Sequence, residues 1–175
     1  MTLPVLETPR LVLRPLTLED ETALMAVIGD AETMRWFPRP FTRDEVRAWI
    51  ERQRNRYLSG TGLLGMVEKD TDRLIGDCGP TWQEIEDGLE LEIGWHVNRE
   101  RWNQGFATEA ARAVIEDVFT KLSVDHVVSM IRPENVASRR VAEKNGMKVD
   151  RVVFWRGYDH CVYSLGGRGE KMTAR

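Results

Sequence analysis

The chain has 175 residues, 42% of them hydrophobic and 30% charged, with a formal net charge of −3. That length suits one domain with a real core, and the slight acidic excess argues against a nucleic-acid binder that works by neutralising phosphates. No apolar run approaches the roughly 20 residues of a membrane span, and no basic-then-apolar leader opens the chain. Cys78 and Cys161 stand far apart without metal-ligand spacing. The expectation is a cytoplasmic protein with two reduced thiols and no metal.

Arg10 to Leu16 alternates apolar and polar positions and is ended by Pro15, as a strand would be. Thr17 with Asp20 resembles a capped helix start, and Leu24, Val27 and Ile28 continue a helical stripe until Gly29. Thr42 with Glu45 forms a second capping box, followed by Val46, Trp49 and Ile50 at near-helical spacing. Between these helices, Met34 to Phe41 packs three aromatics and two prolines into a loop. By composition alone that loop is a hydrophobic clasp over the core.

Leu63 to Lys69 and Arg73 to Trp82 read as two strands, and an acidic turn, Glu84 to Gly88, leads into a third from Leu89 to Val97. On this last strand Leu89, Leu91, Ile93, Trp95 and Val97 share one face, while Glu90, Glu92, Gly94 and His96 share the other. Two carboxylates and an imidazole in line can serve proton transfer, or can simply face water as alternating strands often do. A helix from Gly105 to Lys121, a valine-rich strand from His126 to Ile131, a helix capped by Asn135 and a final hairpin around Arg156-Gly157 complete the pattern. The order implies an α+β fold with a mixed, mainly antiparallel seven-stranded sheet flanked by about four helices. It occupies residues 1–166 as one domain, with 167–175 as a frayed tail.

The stretch Arg101 to Ala110 joins strand to helix through polar residues and one glycine. The first N–H groups of a helix have no intrahelical partner, and the helix dipole is positive there, so such a turn can hold a phosphate or pyrophosphate. Neither G-x-x-x-x-G-K-[ST] nor G-x-G-x-x-G is present, which excludes the common nucleotide loops.

Trp102-Asn103-Gln104-Gly105-Phe106-Ala107-Thr108-Glu109-Ala110 resembles the acyl-CoA pyrophosphate loop of GNAT N-acetyltransferases, and most resembles their RimJ/RimL-like branch, the ribosomal-protein N-terminal acetylases. Asn135 to Met147 is similar to that branch's N-x-x-S-x-[RK]-[VL]-x-E-K-x-G-[MF], and Thr8 to Leu16 to its first strand. The resemblance implies acetyl-CoA as co-substrate, lying between two splayed central strands, and a primary amine as acceptor: a protein N-terminus or a small molecule. It implies that the main chain of Gln104, Gly105, Phe106, Ala107 and Thr108 holds the pyrophosphate, with the Thr108 hydroxyl added and Arg101, Arg139 or Arg140 reaching the adenosine phosphates. A main-chain N–H near Trp95, His96 and Val97 would stabilise the carbonyl oxygen, Asn135 would hold the pantetheine, and Ser138 would lie near the thioester sulfur. Glu92 is the first candidate base, with Glu90 and His96 in reserve, and Trp36, Phe37, Trp82 and Glu90 are candidate acceptor contacts. The family's frequent tyrosine is replaced here by Ala142. That leaves Ser138 as the substitute proton donor and keeps a non-catalytic acyl-CoA-binding module as the alternative. The late strands and Trp155 offer a surface for a homodimer.

Overall fold

A computed structural model of the chain describes residues 5–86 and 88–167. Asp87 of the acidic turn and the tail beyond Gly167 lie outside the described residues. The elements follow the expected order: β1 (Leu6–Glu7), β2 (Leu11–Arg14), α1 (Glu21–Ile28), α2 (Arg43–Tyr57), β3 (Leu64–Glu68), β4 (Arg73–Ile85), β5 (Gly88–Val97), α3 (Phe106–Lys121), β6 (His126–Ile131), α4 (Val136–Lys144), β7 (Lys148–Trp155) and β8 (Tyr158–Gly166). They form one eight-stranded sheet in the order β1-β2-β3-β4-β5-β6-β8-β7. The strand added to the expected seven is β1, whose two residues are too few to show an alternation.

All neighbouring strands are antiparallel except β5 and β6, which run parallel and meet only at Glu92 opposite Val128. Beyond that contact β5 parts from β6, because antiparallel pairing with β4 holds β5 through Val97 while β6 follows β8. The sheet therefore opens into a V at its centre.

Two cores fix the V in place. On one face Leu16, Leu24, Val27, Ile28, Met34, Val46 and Ile50 pack α1 and α2 together. On the other, Phe106, Ala110, Ala111, Val114 and Val118 of α3 seat against Leu91, Ile93 and Val97 of β5. Each such fully buried aliphatic side chain contributes about 1.5–3 kcal/mol relative to exposure. Thr42 caps α2 as its sequence suggests, accepting from Glu45 N while the Glu45 carboxylate accepts from Thr42 N at 2.8 Å. Thr17 and Asp20 instead cap a short 3-10 turn that runs into α1.

Candidate functional site

The turn expected to hold a phosphate lies at the start of α3. Asn103 (φ 60) and Gly105 (φ 82) both take the left-handed conformation, so the chain turns sharply out of the Arg99–Arg101 3-10 turn into α3. The first intrahelical bond is Glu109 N to Gly105 O at 3.0 Å, which leaves the N–H groups of Phe106, Ala107 and Thr108 without a helical acceptor. The Phe106 side chain is buried, so only its main chain serves this turn. A cavity of about 490 Å³ opens over it, lined by Arg10, Gly105, Thr108, Arg112 and Lys144 among others.

The turn is braced from β2. Arg10 Nη1 donates to Gln104 O at 2.9 Å, and its guanidinium lies 4.2 Å from the Phe106 ring centroid. Glu109 accepts from Thr8 Oγ1 (2.6 Å), Arg10 N (2.8 Å) and Arg10 Nε (2.7 Å). Burial pushes the Glu109 carboxyl up, but these donors outweigh it and hold it below the ordinary value. Trp102 adds a second brace, donating from Nε1 to Val97 O at 2.8 Å.

The inner edge of β5 supplies further donors. Ile93 O accepts from Ser129 Oγ (2.7 Å) and Val97 O from Trp102, so the main chain of these residues is turned away from β4. By the two-residue alternation, the N–H groups of Trp95 and Val97 face the V, whereas the main chain of His96 faces β4. Asn135 Oδ1 accepts from Ser138 N at 3.2 Å and caps α4. The Ser138 hydroxyl makes no hydrogen bond among the described residues. Arg101 is held by Glu68, and Arg139 by Tyr163 and the Pro133 carbonyl, whereas Arg140 is exposed.

The other expected site residues of β5, Glu92 and His96, lie on the opposite face of that strand. His96 Nδ1 is 2.7 Å from Oδ1 of Asp77, its cross-strand neighbour on β4. Asp77 is fully buried, and its Oδ2 accepts from Trp49 Nε1 at 2.9 Å. Burial pulls the His96 imidazole down, but the charge and hydrogen bond of Asp77, then the charge of Glu92, outweigh it and hold it above 6.5. Four residues back on the same face, Glu92 accepts from Gln83 Nε2 (2.8 Å). Burial holds its carboxyl above the ordinary value, against the Gln83 and Met130 donors. Between them Gly94 is open: a Cβ built there meets no atom within 4 Å.

Phe37 packs on His96 with ring centroids 5.3 Å apart, and the Trp36 carbonyl accepts from Arg132 of the β6 end at 3.4 Å. The aromatic loop therefore spans from β5 to β6 on this face. Two expected acceptor contacts are not brought to the group. Trp82 pairs with Leu91, so its side chain emerges on the opposite face of the sheet from Glu92. Glu90 does share that face, but it is engaged by Arg151 (2.5 Å) and His126 (3.2 Å).

Asp77 and Trp49 carry no sequence signal by themselves. Counting outward from the turn after Ile85 would have set Asp77 opposite His96, but the length of that turn is not written in the sequence.

Comparisons with known proteins identify the family and the fold. Residues 10–148 match the family model of the acetyltransferase (GNAT) domain. The chain is 33% identical over 150 residues to the protein YkkB of Bacillus subtilis, covering 85% of this chain and 87% of that one. It is 31% identical over 155 residues to the FsC-acetyl coenzyme A-N(2)-transacetylase of Aspergillus fumigatus, covering 82% of this chain and 65% of that one. A solved RimL ribosomal α-N-protein acetyltransferase in complex with coenzyme A superposes with a TM-score of 0.77 at 14% identity, covering 95% of this chain and 100% of that one. The chain belongs to the GNAT acetyltransferase family. It is an enzyme of the acetyltransferase class, and acetyltransferases of this family use acetyl-CoA. The V leaves main-chain N–H groups without helical acceptors at α3 and unpaired donors along the inner edge of β5. No helix among the described residues is long and apolar enough to cross a membrane, and no metal-binding cluster is present among them.

Proposed function

We propose that this protein transfers the acetyl group of acetyl-CoA to a primary amine that sits over Gly94, between Glu92 and His96. The observation that carries the reading is that open floor position, flanked by two titratable groups where β5 leaves β6. Acetyl-CoA supplies an activated thioester, and the chain's own residues do the rest. An ammonium must lose one proton before it can attack, and a second leaves as the new bond forms. Free α-amines have pKa near 8 and lysine-like amines near 10.4, so most of either is protonated at neutral pH. Glu92, held above the ordinary carboxylate range, is poised to take a proton nearer the working pH. His96, with one-tenth of its side chain exposed, passes the proton outward. The Trp95 N–H holds the carbonyl oxygen as it gains charge. The Ser138 hydroxyl, otherwise unengaged, donates to the departing sulfur.

The test is release of free thiol from acetyl-CoA in the presence of a panel of amines, with the acetylated amine identified by its mass. Thiol release that does not depend on any amine would replace transfer with hydrolysis, and binding without release would favour the non-catalytic module. Gly94→Leu fills the floor, and its Cβ meets no atom within 4 Å. The acceptor kcat/KM should fall at least about tenfold while acetyl-CoA binds as before. An unchanged kcat/KM would move the acceptor elsewhere. Ser138→Ala should slow turnover several-fold at saturating substrates, and unchanged kcat would remove Ser138 from the mechanism.

Asp77 acts as a positioning residue. It holds the proton on Nδ1 and leaves Nε2 as the acceptor; an asparagine amide can instead donate to Nδ1 and reverse the tautomer. Asp77→Asn should therefore lower kcat by about a hundredfold with the fold retained. It should also change the pH dependence of stability. With His96 raised above 6.5, the stability its protonation contributes is fully present below 6.5 and is lost as pH rises through the folded value. Melting temperature followed across that range should fall with pH in the wild type and flatten in Asp77→Asn. Parallel curves would show that the pair does not perturb His96.

A further inference from the structure

Most arginines elsewhere on the α1–α2 side of the molecule are neutralised, Arg54 of α2 being exposed and without an ion pair among the described residues. Arg35 pairs with Glu32 at 2.7 Å, Arg39 with Glu45 at 2.6 Å, and Arg43 and Arg47 both reach Glu21 at 2.8 Å. Around the Gly94 floor the pattern is reversed. Arg56 of α2 and Arg156 at the β7–β8 turn act by charge on Glu92, Arg52 lies near Arg56, and Arg132 at the end of β6 reaches the Trp36 carbonyl of the aromatic loop. Arg156 Nη2 donates to Gln83 Oε1 at 3.3 Å, and the same Gln83 amide donates to Glu92 at 2.8 Å. Arg132 lies 4.0 Å from the Tyr158 ring centroid and 5.9 Å from that of Trp36, so aromatic faces hold it in place. Arg52 and Arg156 are likewise seated on Trp49 and Trp155.

Among the described residues none of these four is within hydrogen-bond distance of a carboxylate. The nearest approach is Arg132 Nε to the exposed Glu134, at 3.8 Å, and that Nε is buried with no hydrogen-bond partner. Buried N–H groups of this kind ordinarily have one. The guanidinium of Arg56 is half-buried, and burial together with the charges of Arg52 and Arg156 lowers its pKa against the pull of Glu92. Three nearby carboxylates are committed elsewhere: Glu86 and Glu90 to Arg151, Asp77 to His96 and Trp49.

These arginines do not face the diphosphate of the co-substrate. Its donors lie beyond Val97 at the start of α3, whereas Glu92 is five residues earlier on β5, roughly 16 Å along the strand. They also stand on the opposite face of the sheet from α3.

We infer that the acceptor is an amine that itself carries a carboxylate, which the unneutralised arginine rim engages while the amine points down to Gly94. Guanidinium groups preset on aromatic faces suit a planar carboxylate, because their donors are already oriented and little side-chain entropy remains to be lost. The same chemistry is offered by a free amino acid and by a peptide N-terminus followed by acidic side chains. The inference rests on the acetyl-transfer reading above and narrows its acceptor.

The test uses the full chain with acetyl-CoA and follows thiol release against free amino acids, the carboxamides of the same amino acids, diamines, and short peptides with acidic or neutral second residues. Free amino acids or acidic peptides should show kcat/KM at least about tenfold above their neutral matches, and whichever of the two leads identifies the source of the carboxylate. Arg56→Gln and Arg132→Gln should each raise KM about tenfold for the carboxylate acceptor and leave KM for its carboxamide unchanged, with acetyl-CoA affinity intact as proof of fold. Arg47→Gln, on the Glu21 pair, should change neither. Preference for diamines or carboxamides, or an equal rise in KM for both members of a pair, would overturn the inference and leave acetyl transfer standing. Acetylation of no amine at all would overturn the transfer reading and this inference with it.

Discussion

Replacing Glu92 by glutamine should lower kcat/KM by about 10²–10³-fold while leaving acetyl-CoA affinity unchanged, the range expected for loss of a positioned general base. The glutamine keeps the length of the side chain and can still accept from Gln83 Nε2, so geometry survives and proton transfer does not. The pH profile separates this outcome from a packing defect. Burial raises the Glu92 carboxyl, so wild-type kcat/KM should fall on the acid side at a pH above 4.5, and that limb should vanish in Glu92→Gln. Stability should move the other way. A raised carboxyl pKa means that ionisation, cheap in the unfolded chain above 4.5, costs stability in the folded chain as pH climbs through the higher folded value. Above the folded value that cost is present in full, and a neutral glutamine removes it. Glu92→Gln should therefore melt at a temperature equal to or above wild type. A variant that loses both activity and melting temperature would mark Glu92 as structural, and one with wild-type kcat/KM would hand the base role to His96.

Gly105→Glu should abolish acetyl-CoA binding at concentrations that saturate the wild type. Two effects combine there. At φ 82 any side chain is strained, at about 1 kcal/mol, which for a chain of this size lowers the melting temperature by about 2–4 °C. The added carboxylate also projects beside the free N–H groups of the first α3 turn, where a diphosphate must approach. Gly105→Ala carries the strain without the charge, since a Cβ at this position has Arg10 Nη2 at an ordinary 3.5 Å. It should show the same thermal shift with a smaller loss of affinity. Calorimetry on the three proteins decides the matter: equal affinities would remove this turn from the co-substrate site.

The parts of this protein that were legible in its sequence are those encoded within a single element. The helix stripe of Phe106, Ala110, Val114 and Val118, the Thr42–Glu45 capping box and the alternation along Leu89 to Val97 each needed only local period and cap chemistry. What stayed hidden depends on register between elements. The Asp77–His96 pair requires the pairing of β4 with β5, and the same register sends Trp82 to the far face. The acidic turn and the strand after it do not show their own partner in sequence: Glu86 and Glu90 are taken up by Arg151, which lies 61 residues beyond Glu90. The arginine rim is drawn from α2, β6 and the last hairpin, and no window of sequence contains it.

The brace between β2 and α3 bears on the order in which the molecule assembles. Thr8 and Glu109, whose side chains meet at 2.6 Å, are 101 residues apart in the chain. Closing a loop of that length is entropically slow relative to winding a helix. α3 can therefore acquire its helical hydrogen bonds early, while the turn before it takes its final shape only when the first strands dock. During synthesis the earlier partner emerges first and waits for the later one. A chain paused between those events would hold a formed helix without a competent phosphate cradle.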